Sequence, residues 1–346
     1  MRVVLMILLL LALLAAPVSA MEFTPPTAPS EALELMPAEK DDFGGGLWEI
    51  VRNALDNFAP QVSTAIRSCV GMIAVVMLAS ILNTFPGSSK NAIRYVSTLA
   101  LGAIFLGQAN IMINLCAETV TKLSDYGKLL LPVMTAALAA QGGATSATAL
   151  YAGTAVFDSL LSTAINKLLV PMAYLFLVLA IANSATGNEL LKKIRDFIKW
   201  LMTWGLKTVL YIFTGYLSIT GVITGTADAA ALKATKLTIA GVVPVVGGIL
   251  SDASEAVVVS AGVMKNAVGI YGLLAIAAVW ITPFLQIGIQ YLMLKLTAAV
   301  CGVFGVKNAS ELIEDFSGTM GLLLGMTGTV CFLLLVSTIC FMKGMG

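Results

Sequence analysis

Residues 319–342 read TMGLLLGMTGTVCFLLLVSTICFM, without one Asp, Glu, Lys or Arg. A helix needs about 20 consecutive apolar residues to cross a bilayer, so this stretch decides the fold class. Working back along the chain, apolar runs of membrane length recur at 266–294, 200–225, 154–183, 95–116 and 68–85. The run at 266–294 reads either as one tilted helix or as a hairpin turning near Pro283. Composition agrees with the runs: 58% of the 346 residues are hydrophobic and 11% charged, against about 25% charged in a soluble domain. The expectation is an all-α polytopic membrane protein with about six spanning helices, held in a lipid bilayer.

Two further apolar stretches, 129–151 and 242–264, are of another kind. Both are rich in small residues, interrupted by Pro132 and Pro244, and carry the pairs Gly142-Gly143 and Gly247-Gly248. Irregular backbone is tolerated at membrane depth only where protein or a cavity satisfies it, so these read as re-entrant or broken-helix hairpins. The shift that carries Pro132 onto Pro244 also carries Pro171 onto Pro283. Glu189-Leu190-Leu191 ahead of Asp196-Phe197 likewise matches Glu311-Leu312-Ile313 ahead of Asp315-Phe316. Two readings stand: chance in a simple apolar sequence, or an internal duplication with units at about 129–225 and 241–342. Repeats of this kind frame binding sites and pores at their interface.

The amino terminus carries an export signal. Arg2 is the positive start, residues 3–14 the apolar centre, and Val18-Ser19-Ala20 the small-residue cleavage site, which makes 1–20 a signal peptide. The other reading, a retained first helix, has to contend with a short run closed by Pro17. Residues 21–46 are proline-rich and acidic and read as a solvated linker outside the cytoplasm. Leu47, Val51, Leu55, Phe58, Val62 and Ile66 then recur at helical spacing, giving an amphipathic helix at 47–67. It lies on the bilayer, packs on its own membrane domain, or docks a partner outside. The multi-pass domain occupies 68–346. Lys192, Lys193, Arg195 and Lys199 form the strongest basic cluster and belong in the cytoplasm, with Lys90 and Arg94. Lys122, Asp125 and Lys128 then fall outside, and the side of the carboxyl terminus stays open.

The chemistry that is missing narrows the function. The chain has no histidine, which removes the usual general base, the Ser–His and Cys–His nucleophiles and the HExxH zinc centre. There is no GxGD sequence and no GxxxxGK[ST] phosphate loop. Cys69, Cys116, Cys301, Cys331 and Cys340 are isolated among apolar residues, without a CxxC pair. Lys and Arg form no stripe interleaved with aromatics, so no nucleic acid is expected as partner. No catalytic, cofactor or metal site is expected, and the chain reads as a non-enzyme.

Polar groups in costly places remain. A charge at the bilayer centre costs at least about 2.5 kcal/mol, yet Asp158, Lys167, Asp252, Glu255 and Lys265 fall in or beside apolar runs. Asp252 and Glu255 share one helical face if their stretch is helical. With Lys265 they are either a mutually neutralised set or the polar lining of a conduit, and Asp158 joins them as a candidate. In the last span Gly321 and Gly325 form GxxxG, a close-approach face used within the chain or between copies in a homo-oligomer.

Thr235-Lys236, Gly241, Pro244-Val245-Val246-Gly247, Ser251-Asp252 and Lys265-Asn266-Ala267-Val268-Gly269 resemble the core signature of the stage III sporulation protein AE family. Leu131-Pro132-Val133-Met134-Thr135-Ala136-Ala137-Leu138 with Gly142-Gly143 resembles its upstream motif. The likeness covers about residue 68 to the end. Ala240 and Val242-Val243 depart from it, standing where polar or aromatic side chains are expected. The resemblance implies a multi-pass component of the sporulation channel complex in the mother-cell membrane around the forespore. Its partners would be the other A-series stage III sporulation proteins, a secretion-type ATPase among them, and a forespore-side channel partner. It supplies no catalytic residues. A secondary transporter or permease built on the repeat is the alternative, and a purely structural scaffold the third reading.

Overall fold

A computed structural model describes residues 25–37, 43–56, 58–85, 89–140, 144–219 and 267–344. In chain order its helices are α1 (Ser30–Leu33), α2 (Phe43–Asp56), α3 (Ala59–Thr84), α4 (Lys90–Ala140), α5 (Ala144–Ala164), α6 (Val170–Thr186), α7 (Glu189–Ile219), α8 (Ala267–Val303) and α9 (Lys307–Gly344). Among the described residues there is no strand. Five helical segments are long and apolar enough to cross a membrane: α3, α4, α5 continued into α6, α8 and α9. The protein is an all-α polytopic membrane protein.

Local chemistry sets the boundaries. A π-turn, Ile165–Leu169, joins α5 to α6 just ahead of Pro171. Proline lacks an amide hydrogen and its ring crowds the carbonyl four residues back, and the widened turn absorbs both, so the chain runs on as one helix. Gly187 ends α6 in the left-handed region at φ 69°, its amide bonded to Asn183 O at 2.7 Å, as a glycine after a helix end does. Asn188 then caps α7, its Oδ1 accepting from the Leu190 amide at 2.8 Å. Gly305, at φ 74°, makes the turn between α8 and α9.

Cross-helix contacts fix the directions. Phe105 stacks on Phe316 at 4.0 Å between ring centroids, Cys116 Sγ reaches Leu323 O at 3.7 Å, and Gly127 lies under Leu334. α4 and α9 are therefore parallel. α5–α6 runs back along α4, with Asn166 on Thr121, Tyr174 on Asn110 and Ser184 on Thr98. α3 is antiparallel to α4 through Ser68 and Gln108, and its end meets the α8–α9 turn where Ser80 Oγ donates to Phe304 O. α7 rises beside α9. Lys90, Arg94, Lys192, Lys193 and Lys307 thus gather at one end, where Arg94 Nη2 donates to Thr186 O and Ser184 Oγ to Asn308 O.

Several expectations change shape. The first hairpin, 129–151, is not a separate element between spans. α4 continues through Pro132, which is exposed, to Ala140, and α5 starts at Ala144. The far part of α4 packs on α5 and α9, and that packing outweighs one lost helix bond. Around Pro283 the alternative settles as a single helix, since Pro283 lies inside α8. Part of the expected linker, 25–37, is docked: Ala28, Ala32 and Leu35 are buried, and Ala28 N donates to Tyr271 Oη at 3.2 Å. The amphipathic stretch divides at Phe58 into α2 and the start of α3. Within 47–67 the buried line is Ile50, Ala54, Phe58 and Ala65, while Leu55 and Ile66 of the expected stripe are exposed.

Candidate functional site

Polar side chains occupy two levels of the bundle. The upper one lies where α4 carries Glu118, Lys122, Asp125 and Lys128. Ser124 Oγ donates to Asp158 Oδ2 at 2.7 Å from the neighbouring α5. Asp158 is 2% exposed, and its Oδ1 is buried without a partner among the described residues. On the next turn of α5, Thr154 Oγ1 donates to Ser337 Oγ of α9 at 2.9 Å. Gly153 lets α7 come close: a Cβ there would stand 2.0 Å from the Tyr216 ring, whose hydroxyl donates to Ala149 O at 2.7 Å.

The lower level centres on Arg195. Its Nη1 donates to Asp315 Oδ2 at 2.5 Å, and its Nε and Nη2 to Asp196 Oδ1 at 3.0 and 2.8 Å. The side chains of Arg195 and Asp315 are only 10% and 13% exposed. Asp315 adjoins Phe316, which stacks on Phe105 in the middle of the apolar part of α4. Lys295 of α8 pairs with Glu314 of α9 one residue away. Lys199 Nζ lies 6.0 Å above the Phe176 ring and 3.2 Å from where a Cβ on Gly318 would stand. A buried pair of this kind holds two helices together through charge-assisted hydrogen bonds that would be costly to strand.

A cavity of about 320 Å³ separates the docked amino-terminal segment from α4 and α8. Glu31, Glu34, Gln61, Lys122, Thr282 and Pro283 are among its lining residues. Lys122 closes one side on Glu31 at 2.6 Å. Pro283 leaves the carbonyl of Val279, also in the lining, without its helical donor.

Of the residues singled out from the sequence, Asp158 is in the upper level and Pro132 on the exposed flank of α4. Gly321 is buried with the Tyr291 ring 3.4 Å from its would-be Cβ, and Gly325 is buried with its carbonyl accepting from Thr329 Oγ1 at 2.6 Å. Asp252, Glu255, Lys265, Pro244, Gly247, Gly248, Gly142 and Gly143 lie outside the described residues. The Arg195–Asp315 pair was missed, although it joins the two segments noted for their shared pattern. Its signal was present: Arg195 falls in helical register with Ile198, Met202 and Leu206, on the buried face of α7. Among the described residues no cluster of His, Cys, Asp or Glu could hold a metal.

A match to the family model described as stage III sporulation protein AE runs over residues 33–346. The Bacillus subtilis (strain 168) protein named Stage III sporulation protein AE is 24% identical over 234 residues, 67% of this chain and 59% of that protein. The matched stretch therefore spans about three fifths of the length of that curated relative. No solved structure matches. The family match takes in almost the whole multi-pass bundle and both polar levels within it, and the chain belongs to the stage III sporulation protein AE family.

Proposed function

We propose that the chain is a non-enzymatic membrane subunit of the channel complex that links mother cell and forespore during sporulation. In this reading it works with the other A-series stage III proteins, a secretion-type ATPase and a forespore-side partner, and supports forespore development. Family membership supports the sporulation role. The observation that carries the conduit role is the charged level around Arg195 and Asp315, set at the height where α3, α4 and α6 expose, Arg67 apart, apolar side chains such as Val70, Leu106 and Val178. The pair itself can serve to join helices, but the charges left open around it, Asp196, Glu314 and Lys295, would be costly against lipid and of no use to a scaffold. Asp252, Glu255 and Lys265 join this reading as a second polar contact, beside the proposed second hairpin.

The end carrying Lys90, Arg94, Lys192, Lys193 and Lys307 is assigned to the mother-cell cytoplasm. The docked segment 25–37 then lies outside, after removal of 1–20. Cysteine in place of the exposed Ser30 should react with an impermeant thiol reagent on intact cells, and reaction only after lysis would reverse the orientation. For the function, the tagged chain is purified from sporulating cells while a strain lacking it is followed through development. Recovery of the A-series proteins with the chain, and arrest of late forespore gene expression without it, are expected. Wild-type spore yield in the deletion strain would sink the proposal.

A further inference from the structure

The bundle has two unlike sides at one height. Phe105 on Phe316, Ser68 on Gln108 and Arg195 on Asp315 set the common level. There, α3, α4 and α6 turn Val70, Leu106, Leu175 and Val178 outward, with Val70 59% and Val178 58% exposed. On the other side, α7, α9 and α8 expose Asp196, Lys199, Glu311, Glu314 and Lys295. The side chains of Asp196, Glu314 and Lys295 are 55%, 59% and 51% exposed, as open as the valines opposite.

Helix geometry limits escape to the membrane surface at Glu314. Asp196 stands three residues beyond Lys193 of the basic end, but Glu314 stands seven residues inside α9, about 10 Å from Lys307 at 1.5 Å per residue. A carboxylate cannot reach back over that distance as a lysine can. α7 itself is divided lengthwise. Asp196, Lys199, Thr203 and Lys207 form one stripe. Phe197, Trp200 and Trp204, stacked at 5.8 and 5.9 Å, each follow a member of it by one residue, so the aromatic stripe is turned by about 100°. One edge of α7 suits lipid, the adjoining edge water. The floor between α7 and α8 is small: Gly318 leaves room for the Lys199 ammonium, and Gly321 for the Tyr291 ring.

We propose that α7, α9 and α8 enclose a water-filled groove at membrane depth, open to the basic end, which admits small hydrophilic solutes. Its use as a path through the assembly rests on the conduit reading above, whereas its hydration does not. Asp196 and Glu314 of the full-length chain are replaced singly by cysteine, with Leu106 and Val178 as controls at the same height. The native cysteines, all buried, are removed first. In vesicles of phosphatidylethanolamine and phosphatidylglycerol, only the thiolate, which water favours and hydrocarbon suppresses, attacks a sulfonated thiosulfonate reagent, forming a disulfide and expelling sulfinate. The groove positions should react at least about tenfold faster than the controls, the factor for one unit of thiol pKa. Equal, slow reaction would overturn the groove, whether lipid or a second copy covers it.

Hydroxyl-radical footprinting of the unsubstituted chain gives the same contrast if a cysteine variant fails to accumulate. Tyr291 on the groove floor should be oxidised and Met77 spared, and the reverse order counts against the proposal. Fast labelling at Glu314→Cys with undiminished spore yield would uphold the groove and overturn its service as a conduit.

Discussion

The Arg195–Asp315 pair admits a thermodynamic cycle whose terms follow from its geometry. Arg195→Ala leaves the carboxylate of Asp315, 13% exposed, without its guanidinium; stranding one partner of a buried pair costs about 3–5 kcal/mol. Asp315→Ala is milder, because Arg195 keeps its two bonds to Asp196, a carboxylate already 55% exposed. About 3 kcal/mol, the lower end of that range, is expected. The double variant Arg195→Met with Asp315→Leu removes both charges and refills the space, which in other buried pairs is neutral or stabilising. It should therefore be more stable than Arg195→Ala alone by at least ~1 kcal/mol. Stability is read as the midpoint of SDS-induced unfolding of the solubilised full chain, with membrane abundance alongside. The cycle closes on Arg195→Met and Asp315→Leu made singly; losses that add to that of the double within about 0.5 kcal/mol would mean that the groups do not interact across α7 and α9.

Gly153→Ala should destabilise by about 1–3 kcal/mol, as overpacking does, because its Cβ would meet the Tyr216 ring; Gly107→Ala and Gly205→Ala, with nothing within 4 Å, should stabilise by up to ~1 kcal/mol, checked by the same unfolding series. Asp158→Asn keeps an oxygen for the Ser124 hydroxyl and discharges an unpartnered buried oxygen, so stability should hold within about 1 kcal/mol, whereas Ser124→Ala should cost about 1.5–3. Lower spore yield at normal abundance in Asp158→Asn would show that the charge itself is used. Replacing Asp252, Glu255 and Lys265 together by apolar residues should leave membrane abundance unchanged yet abolish sporulation, and full spore yield would reduce the three to packing.

Spanning segments are legible in this sequence because each is a local property: 95–116 and 319–342 fall inside α4 and α9, and 68–85 inside α3 but for Phe85, which caps its end. Their ends are not. Pro132 and Pro283 look like breaks, and only tertiary packing decides that α4 and α8 run through them. The docked segment at 25–37 left a faint trace in the spacing of Ala28, Ala32 and Leu35, masked by its prolines. Asp158 could be picked out as a misplaced charge, but Ser124 could not, since only the fold brings α4 beside α5. Arg195 was grouped with the basic residues around it, a local view that hid its different register.

The unbroken 51-residue α4 has a mechanical consequence. At 1.5 Å per residue it is a rod about 76 Å long, more than twice the roughly 30 Å hydrocarbon thickness. Near its start, Arg94 ties it to the end of α6; toward its far end it lies against α5 and α9. A 10° tilt about the tied end would swing the other by about 13 Å for a rod of that length. Because that far end is packed on α5 and α9, a displacement imposed near Ala140 would be shared with those helices and carried along the shaft toward Phe105 and the charges beside it.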